Sequence, residues 1–575
     1  MLPRLEASGA RRGALVVMLL GVSLAIIAGT LGAQQQEERP EVMKALDLES
    51  AGKYREAAAA FRVIVRTSPT PSAVLGLERV YSELGMSDSL LAPLDTIIAN
   101  FPRESIYRTV QMRTLQILRR DDRLRDAFDR WVRAVPRDAA PYREYARMLI
   151  QLGRPAAADS VVARGRLALG SLKDLEYENA QLRAAMGDWV ASAQSWRRAL
   201  VDASYLANAS AYSLAPAPPA MRDVIRIALN VPPADPGSRR ALAELELTWG
   251  RPDQAWEALR ALRADTVAAT MWDEFGERAY AEERWSIARD ALVAAYRVRR
   301  TPQLAQRAAS AALRAGSPQE VFALLPLADW EADPARIGRE PLALHVGALV
   351  ALGRAKDADA LIARFDRQLV PAQRMRLAQM VATAWVRAGD LVKAREALTA
   401  AGPEADASEA AGWLALYEGR LGAARSMLKT SRAPSADLAL AMAIVARTKG
   451  DSAPLMGAAF LAIARGDSAR ASGKFIEAAA AHPEVAPPLL LIAARLRAAR
   501  AEDAIPIWQR IVTEHANTPE AVESELEWAR ILRQRGDVAG AVAHLEHLIL
   551  GAPQSALLPQ ARRELELARG TVPPS

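Results

Sequence analysis

The stretch AGKYREAAAAFRVIVRTSP, residues 51–69, admits two readings, and the choice between them decides the fold. Lys53, Arg55 and Arg62 beside an apolar face suit a basic amphipathic helix lying on a membrane surface. In the other reading, Gly52 closes a turn after a helix that presents Ala45 and Leu48 on one face. Ala57, Phe61 and Ile64 are then the packing face of a second helix, which ends before Pro69. The second reading makes the stretch one copy of a hairpin, and it is tested by recurrence.

It recurs. A glycine followed five residues later by a small residue, and four further on by a large apolar one, is found at Gly52, Gly85, Gly153, Gly187, Gly250, Gly316, Gly353, Gly389, Gly419, Gly466 and Gly536. Arg119, Glu283 and Ala499 fill three equivalent positions. The first spacings are 33, 34, 34 and 34, and later ones include 33, 33, 37, 36, 30, 33 and 37, which is a repeat period. The small residue is alanine in ten of the fourteen units: Ala57, Ala158, Ala255, Ala288, Ala358, Ala394, Ala424, Ala471, Ala504 and Ala541. A short side chain there lets two helices approach closely.

On these residues the chain resembles the tetratricopeptide repeat (TPR) proteins, whose pattern is W-x2-L-G-x2-Y, a Gly turn, A-x3-F and a closing Pro. Trp272-x2-Phe275-Gly276-x2-Ala279, followed by Trp285, Ala288, Leu292 and Ala295, is a close copy. Trp528, Ala529, Leu532, Gly536, Ala541, Leu545, Leu548 and Pro553 form another, and departures concentrate at the Trp and closing Pro positions. The resemblance covers nearly all of the chain after residue 38. It implies an all-α, right-handed superhelical α-solenoid of about fourteen TPR-like helical hairpins, and residues 1–33 are expected to precede it as an N-terminal signal or membrane-anchor segment.

Interruptions of the period divide the array. An N-terminal array is expected over 34–202 and a Pro-rich, degenerate seam over 203–237, with a short helix at 221–230. A central array over 238–434 follows. The 47 residues between Gly419 and Gly466 leave room for one extra helix near 436–449, within a segment 435–451. A C-terminal array over 452–555 then leads to a capping helix and tail over 556–575.

Composition agrees with a repetitive helical chain. The 575 residues exceed what one core supports, 51% are hydrophobic and 5% aromatic, and strand-like alternation is essentially absent. A net charge of +7 is small for this length and gives no ground for a nucleic-acid partner. With no cysteine, disulfides, thiolate metal sites and a cysteine nucleophile are excluded. Residues 1–33 read as an export signal: Arg4, Arg11 and Arg12 precede the apolar run GALVVMLLGVSLAIIAGTLGA, and QQQEERPE follows. The run could be cleaved after Ala33 or span a bilayer as an uncleaved anchor, with membrane contact then confined to residues 13–33. Either way the array is placed outside the cytoplasm, in the periplasm or cell envelope of a bacterium.

Catalytic signatures are sparse. Of five histidines, His345 falls on a packed helix face and His482 and His515 lie near helix ends. His544 and His547, three apart, fit a solvated helix surface better than a metal clamp. The string GDSARASGK, residues 466–474, lacks the Ser or Thr that a phosphate loop needs after its lysine and is explained as a repeat turn. Trp196, Trp272, Trp385, Trp508 and Trp528 occupy packing positions. No cofactor or metal is expected.

The sharper signal is a row. In TPR arrays the residue six before the Gly turn faces the groove lined by first helices, and here it is Arg79, Arg113 and Arg147, then Gln181, with Glu244 and Glu277 beyond the seam. Arg143 lies one turn from Arg147, and residues 101–150 hold twelve arginines against seven acidic residues, a local excess of +5. Such a row could grip an acidic peptide or a chain terminus bidentately. Its alternative is a solvated face with salt bridges to Glu83, Glu144 and their neighbours. The sequence therefore points to a non-catalytic scaffold binding protein or peptide partners on a concave face, assisting assembly of an envelope or secretion complex. Two alternatives are a membrane-anchored structural spacer of an envelope or polysaccharide-export complex, and an enzyme with its site in the seam.

Overall fold

A computed structural model describes residues 40–232, 235–327, 339–429 and 435–570. The signal or anchor segment expected over residues 1–33 lies outside them. The described residues form an α-solenoid of stacked TPR-like hairpins without a β-strand, and none of their helices is long and apolar enough to cross a membrane.

The chain divides into two compact units, Met1–Arg263 and Ala264–Ser575. The first unit runs through α1 (Pro40–Ser50), α2 (Tyr54–Thr67), α3 (Pro71–Glu83), α4 (Leu91–Asn100), α5 (Ser105–Ile117), α6 (Asp121–Ala134), α7 (Ala140–Gln151), α8 (Pro155–Leu169), α9 (Glu176–Ala185), α10 (Trp189–Asp202), α11 (Ala207–Leu214), α12 (Arg222–Leu229), α13 (Pro236–Thr248) and α14 (Pro252–Arg260). In the second unit, the first half holds α15 (Thr266–Ala281), α16 (Trp285–Val298), α17 (Pro302–Arg314), α18 (Pro318–Leu324), α19 (Arg339–Ala351), α20 (Ala355–Arg364), α21 (Pro371–Ala388), α22 (Leu391–Ala400) and the short α23 (Pro403–Asp406). Its second half holds α24 (Glu409–Tyr417), α25 (Leu421–Leu428), α26 (Ala436–Arg447), α27 (Pro454–Ala464), α28 (Ser468–Ala481), α29 (Ala486–Arg495), α30 (Ala501–Glu514), α31 (Pro519–Gln534), α32 (Val538–Gly551) and α33 (Leu558–Ala568).

The repeat mark has a backbone cause. All eleven register glycines have positive φ, between 65° and 90°, and the two non-glycine residues with positive φ among the described residues are Arg119 (53°) and Glu283 (58°), both at repeat-mark positions. At each of these turns the next amide reaches back five residues, as from Lys53 N to Leu48 O (3.0 Å) and from Arg120 N to Leu115 O (3.0 Å). This is the left-handed helix stop that glycine adopts without steric cost. Ala499 departs from the expectation. It has no positive φ, and the chain turns instead through successive i to i+3 bonds, Arg497 N to Ala494 O and Ala498 N to Arg495 O. Neighbouring LRAARAED has no glycine to take a left-handed position, so the turn is tightened rather than reversed.

Packing explains the rest of the pattern. All ten repeat alanines are 0% exposed, and the four units without alanine bury Leu90, Leu124, Ser192 and Val321 at the same place. The large residue four positions on is buried in turn: Phe61, Leu94, Phe128, Trp196, Phe475 and Trp508 are at 2% exposure or less. Burying each contributes about 1.5–3 kcal/mol, so the hairpins hold together by repetition of one contact. In the closest TPR copy, a Cβ on Gly276 would lie 2.7 Å from Leu292 Cγ, which is why that helix carries glycine where it crosses its partner.

The seam forms two eight-residue helices, α11 and α12, and lies wholly inside the first unit. Arg226 of α12 bonds the fully buried carboxylate of Glu246 on α13 (2.5 Å), and the Trp249 indole donates to Ala215 O (3.1 Å).

Candidate functional site

The arginine row lies on successive first helices of the first unit, and most of its charge is spent within the protein. Arg79 on α3 donates through Nε and Nη2 to both carboxylate oxygens of Glu49 on α1, at 2.7 and 2.9 Å. Arg113 on α5 grips Glu78 on α3 in the same way, at 2.6 and 2.5 Å. Glu78 and Arg79 are sequence neighbours, so the two pairs form a ladder that ties each first helix to the one before it. Arg147 pairs with Glu144 on its own helix, and the Gln181 amide donates to the Tyr177 hydroxyl (2.8 Å). Of the partners read from sequence, Glu144 serves Arg147, whereas Arg79 turns across to the preceding repeat's Glu49 and not to Glu83 on its own helix.

Arg143 is exposed, and with Arg147 it acts on Glu178 of α9. Glu178 is 4% exposed and its Oε2 has no hydrogen-bond partner. Burial pushes its carboxyl up to about 7, against the pull of a backbone amide and the two arginines. The five expected residues thus share one face but form a compensated ion-pair surface more than an open anion site.

Of the histidine pair, His547 is exposed on its helix surface as expected, and His544 is half-buried. His544 and His547 both turn Nδ1 to one oxygen of the buried Glu525, at 3.3 and 2.7 Å, and the His544 ring lies against Trp528 with centroids 4.0 Å apart. Among the described residues no group of three or more His, Cys, Asp or Glu is placed to hold a metal ion. His345 is buried at 1% exposure, its Nε2 2.6 Å from Leu325 O. Lys474 of the phosphate-loop lookalike pairs with Glu477 on α28 (2.6 Å).

A site that the sequence reading missed lies in the second unit. The first helices α21, α24 and α27 border a cleft of about 590 Å³, and the extra helix α26 adds Asp437 and Leu440 to its wall. Val386, Trp413, Tyr417, Phe460 and Ile463 supply further apolar surface, and Gln379, Thr383, Arg387 and Glu409 are polar. Leu440 and Ile463 are 39% and 40% exposed.

Local chemistry fixes this geometry. Ser435 caps α26 by accepting from Leu438 N (3.1 Å), while Leu438, Ala441, Ile444 and Val445 bury its inner face. The other end of α26 is clipped by Arg425 of α25, whose guanidinium donates to Val445 O (3.0 Å), Thr448 O (2.9 Å), Gly450 O and Asp451 Oδ1 (2.8 Å). The chain returns to the repeat through Leu421 N to Asp451 O (2.9 Å) and Ala453 N to Gly419 O (2.9 Å). Gly457 then lets α27 lie directly on the Gly419 turn: a Cβ there would be 2.6 Å from both Gly419 N and Leu416 O.

Within the cleft, Trp413 stacks along Tyr417 (6.0 Å, 30°) and donates its indole N–H to Glu409 (3.1 Å). Burial, with the Asp437 charge adding to it, pushes the Tyr417 hydroxyl up to about 12, so it stays a neutral donor. No hydrogen bond from the described residues reaches the Tyr417 hydroxyl, the Asp437 carboxylate or the Arg387 guanidinium. An apolar slot with solvent-facing polar groups at its edge can hold a side chain and orient the backbone that carries it.

No protein-family model matches the chain, and no curated protein matches it. Solved structures similar to it include the APC/C hetero-tetramer Cut9-Hcn1, at 12% identity over 91% of this chain and 95% of that one, with a TM-score of 0.23. The pentatricopeptide repeat protein PPR10 from maize is similar at 14% identity, 98% and 89% coverage and a TM-score of 0.28. Naa15/Naa10 bound to HypK-THB is similar at 13% identity, 93% and 97% coverage and a TM-score of 0.20. At these scores none of them bears on what this chain binds.

Proposed function

We propose that the protein is a non-catalytic scaffold that holds an extended polypeptide segment on the first-helix face of its second unit. One observation carries this reading: the cleft between α21, α24 and α27 combines exposed Leu440 and Ile463 with a Tyr417 hydroxyl, an Asp437 carboxylate and an Arg387 guanidinium that have no partner among the described residues. Apolar anchors in a concave site with few oriented polar groups are how a repeat surface captures a peptide. The arginine row contributes less to it than the sequence suggested, because Arg79 and Arg113 are already held bidentately.

In this proposal the scaffold works in the bacterial cell envelope, exported by residues 1–33 and assisting assembly of an envelope or secretion complex. The apolar run at 13–33 equally supports a second reading, a spacer subunit held at the membrane. N-terminal sequencing of the mature chain after fractionation separates them, since processing after Ala33 removes the anchor that a spacer requires. Binding is tested by panning a random twelve-residue peptide library against the purified chain. Recovered peptides should bind Trp413→Ala and Leu440→Glu variants at least ~30-fold more weakly, the effect expected for removing a central anchor. Peptides that bind both variants as well as the parent chain would remove the cleft from the account.

A further inference from the structure

We infer that the first unit carries a second docking surface, on the seam helix α11, for an uncharged proline-rich segment in the polyproline II conformation. Tyr205 and Tyr212 are 73% and 59% exposed, the two most exposed Phe, Tyr or Trp residues among the described residues. Tyr205 sits in a short 3₁₀ turn, Ser204–Leu206, that runs directly into α11. With the exposed Asn208 the two tyrosines stand at i, i+3 and i+7, one face of a helix, while Leu206, Ala207, Ser210, Ala211 and Leu214 are buried on the other. Neither phenol hydroxyl nor the Asn208 amide has a hydrogen-bond partner among the described residues.

Absence of charge narrows the partner. Residues 203–221 contain no Asp, Glu, Lys or Arg, in a chain that is 25% charged. The charges that bound this run are engaged, Asp202 with Lys173 (3.6 Å) and Arg222 against the Trp249 ring (5.0 Å). A face without charge gives a phosphate backbone nothing to pair with, and it prefers neither acidic nor basic peptides. It presents two ring faces and three neutral hydrogen-bond groups.

Spacing selects the conformation. Seven helical residues rising about 1.5 Å each set the two tyrosines about 10.5 Å apart along the helix. A polyproline II strand rises about 3.1 Å per residue with three residues to a turn, so prolines three apart share one side at a spacing of about 9 Å. A β-strand repeats its side at about 7 Å or about 13 Å and misses both rings. An α-helix would match at i, i+7, but its carbonyls are bonded internally. Polyproline II has no internal hydrogen bonds, so its carbonyls are open to the two hydroxyls and the Asn208 amide. One proline packs on each ring, and the stiffness of both partners keeps the ordering cost low.

The test is fluorescence anisotropy on the purified full-length chain with labelled, uncharged twelve-residue peptides. One carries three prolines spaced three apart, and its twin has the same composition with the prolines five apart. A twelve-nucleotide RNA and an uncharged polysaccharide complete the set. The first peptide should bind best, at least fivefold tighter than its twin. Tyr205→Ala and Tyr212→Ala should each weaken it about fivefold or more, and Tyr212→Phe, which keeps the ring and loses the hydroxyl, should be intermediate. Added salt should leave its binding unchanged, and so should Trp413→Ala in the second unit's cleft. Equal binding of the two peptides, or no binding of either, overturns the inference. So does binding that survives both alanine variants or is lost in Trp413→Ala, the last of which leaves the cleft reading standing. RNA or polysaccharide that binds as tightly as the first peptide and is lost in Tyr205→Ala gives the face to another ligand and overturns it as well.

Discussion

Gly457 and Gly473 occupy consecutive helices of one hairpin, α27 and α28, and replacing each with alanine should have opposite effects. At Gly473 a Cβ meets nothing within 4 Å, so alanine gains the helix-interior advantage of about 0.5–1 kcal/mol. At Gly457 the same Cβ would lie 2.6 Å from Gly419 N and Leu416 O and 2.8 Å from Tyr417 O. All three are backbone atoms and cannot rotate away, so α27 must lift off the turn that seats it. Overpacking of this kind costs about 1–3 kcal/mol, and after the propensity gain Gly457→Ala should be destabilising by about 1–2 kcal/mol. The two variants should thus differ by about 2–3 kcal/mol.

Because stacked repeats open locally, the assay is amide hydrogen exchange resolved to α24, α27 and α28. Gly457→Ala should speed exchange in α24 and α27 by about tenfold or more, while Gly473→Ala slows it in α28. Peptide affinity should fall in the first variant only, since lifting α27 displaces Phe460 and Ile463. Equal, same-direction shifts in both variants would refute the claim that backbone contact at Gly457 builds the cleft.

The remaining predictions concern the repeat mark, a buried acid and the clip. Arg119→Gly and Glu283→Gly should each raise stability by about 1 kcal/mol, because both residues are held at positive φ where a side chain is strained; the urea midpoint should rise. For Glu178, burial raises the folded carboxyl from 4.5 to about 7, so its stabilisation is fully present below pH 4.5 and lost as pH rises through about 7. Glu178→Gln should match the parent chain near pH 4 and be more stable by roughly 3 kcal/mol at pH 8, whereas parallel stability curves would contradict the assignment. Arg425→Ala should free the C-terminal carbonyls of α26 and speed exchange across Ala436–Arg447 by about tenfold or more, with loss of peptide binding.

The repeat was legible because its signals are local. A left-handed helix stop selects glycine, and a helix crossing selects alanine, so Gly52, Ala57 and Phe61 carry their structural reason in their own chemistry. Arg119 and Glu283, which break the glycine rule, could still be placed because the period ran through them. The period placed Ala499 as well, and Ala504 and Trp508 pack as expected, but without glycine the chain takes a second way to turn.

The candidate site was less legible because it depends on distances across repeats. Arg79 and Arg113 stood out as a row, but their partners Glu49 and Glu78 are 30 and 35 residues away, and the ladder follows from the stacking. The cleft needed more: the 47-residue interval revealed an extra helix, but not that Arg425 and Gly457 would lay it beside Trp413 and Tyr417. Trp413 and Tyr417, four apart on a first helix beside the one long interval, were the signal that could have found it.

The most direct test is hydrogen exchange of the full-length chain with and without a saturating twelve-residue peptide recovered by panning. The account predicts protection in α21, α24, α26 and α27, centred on Arg387, Trp413, Leu440 and Ile463. Protection confined to α3, α5 and α7, or no protection at all, would contradict it.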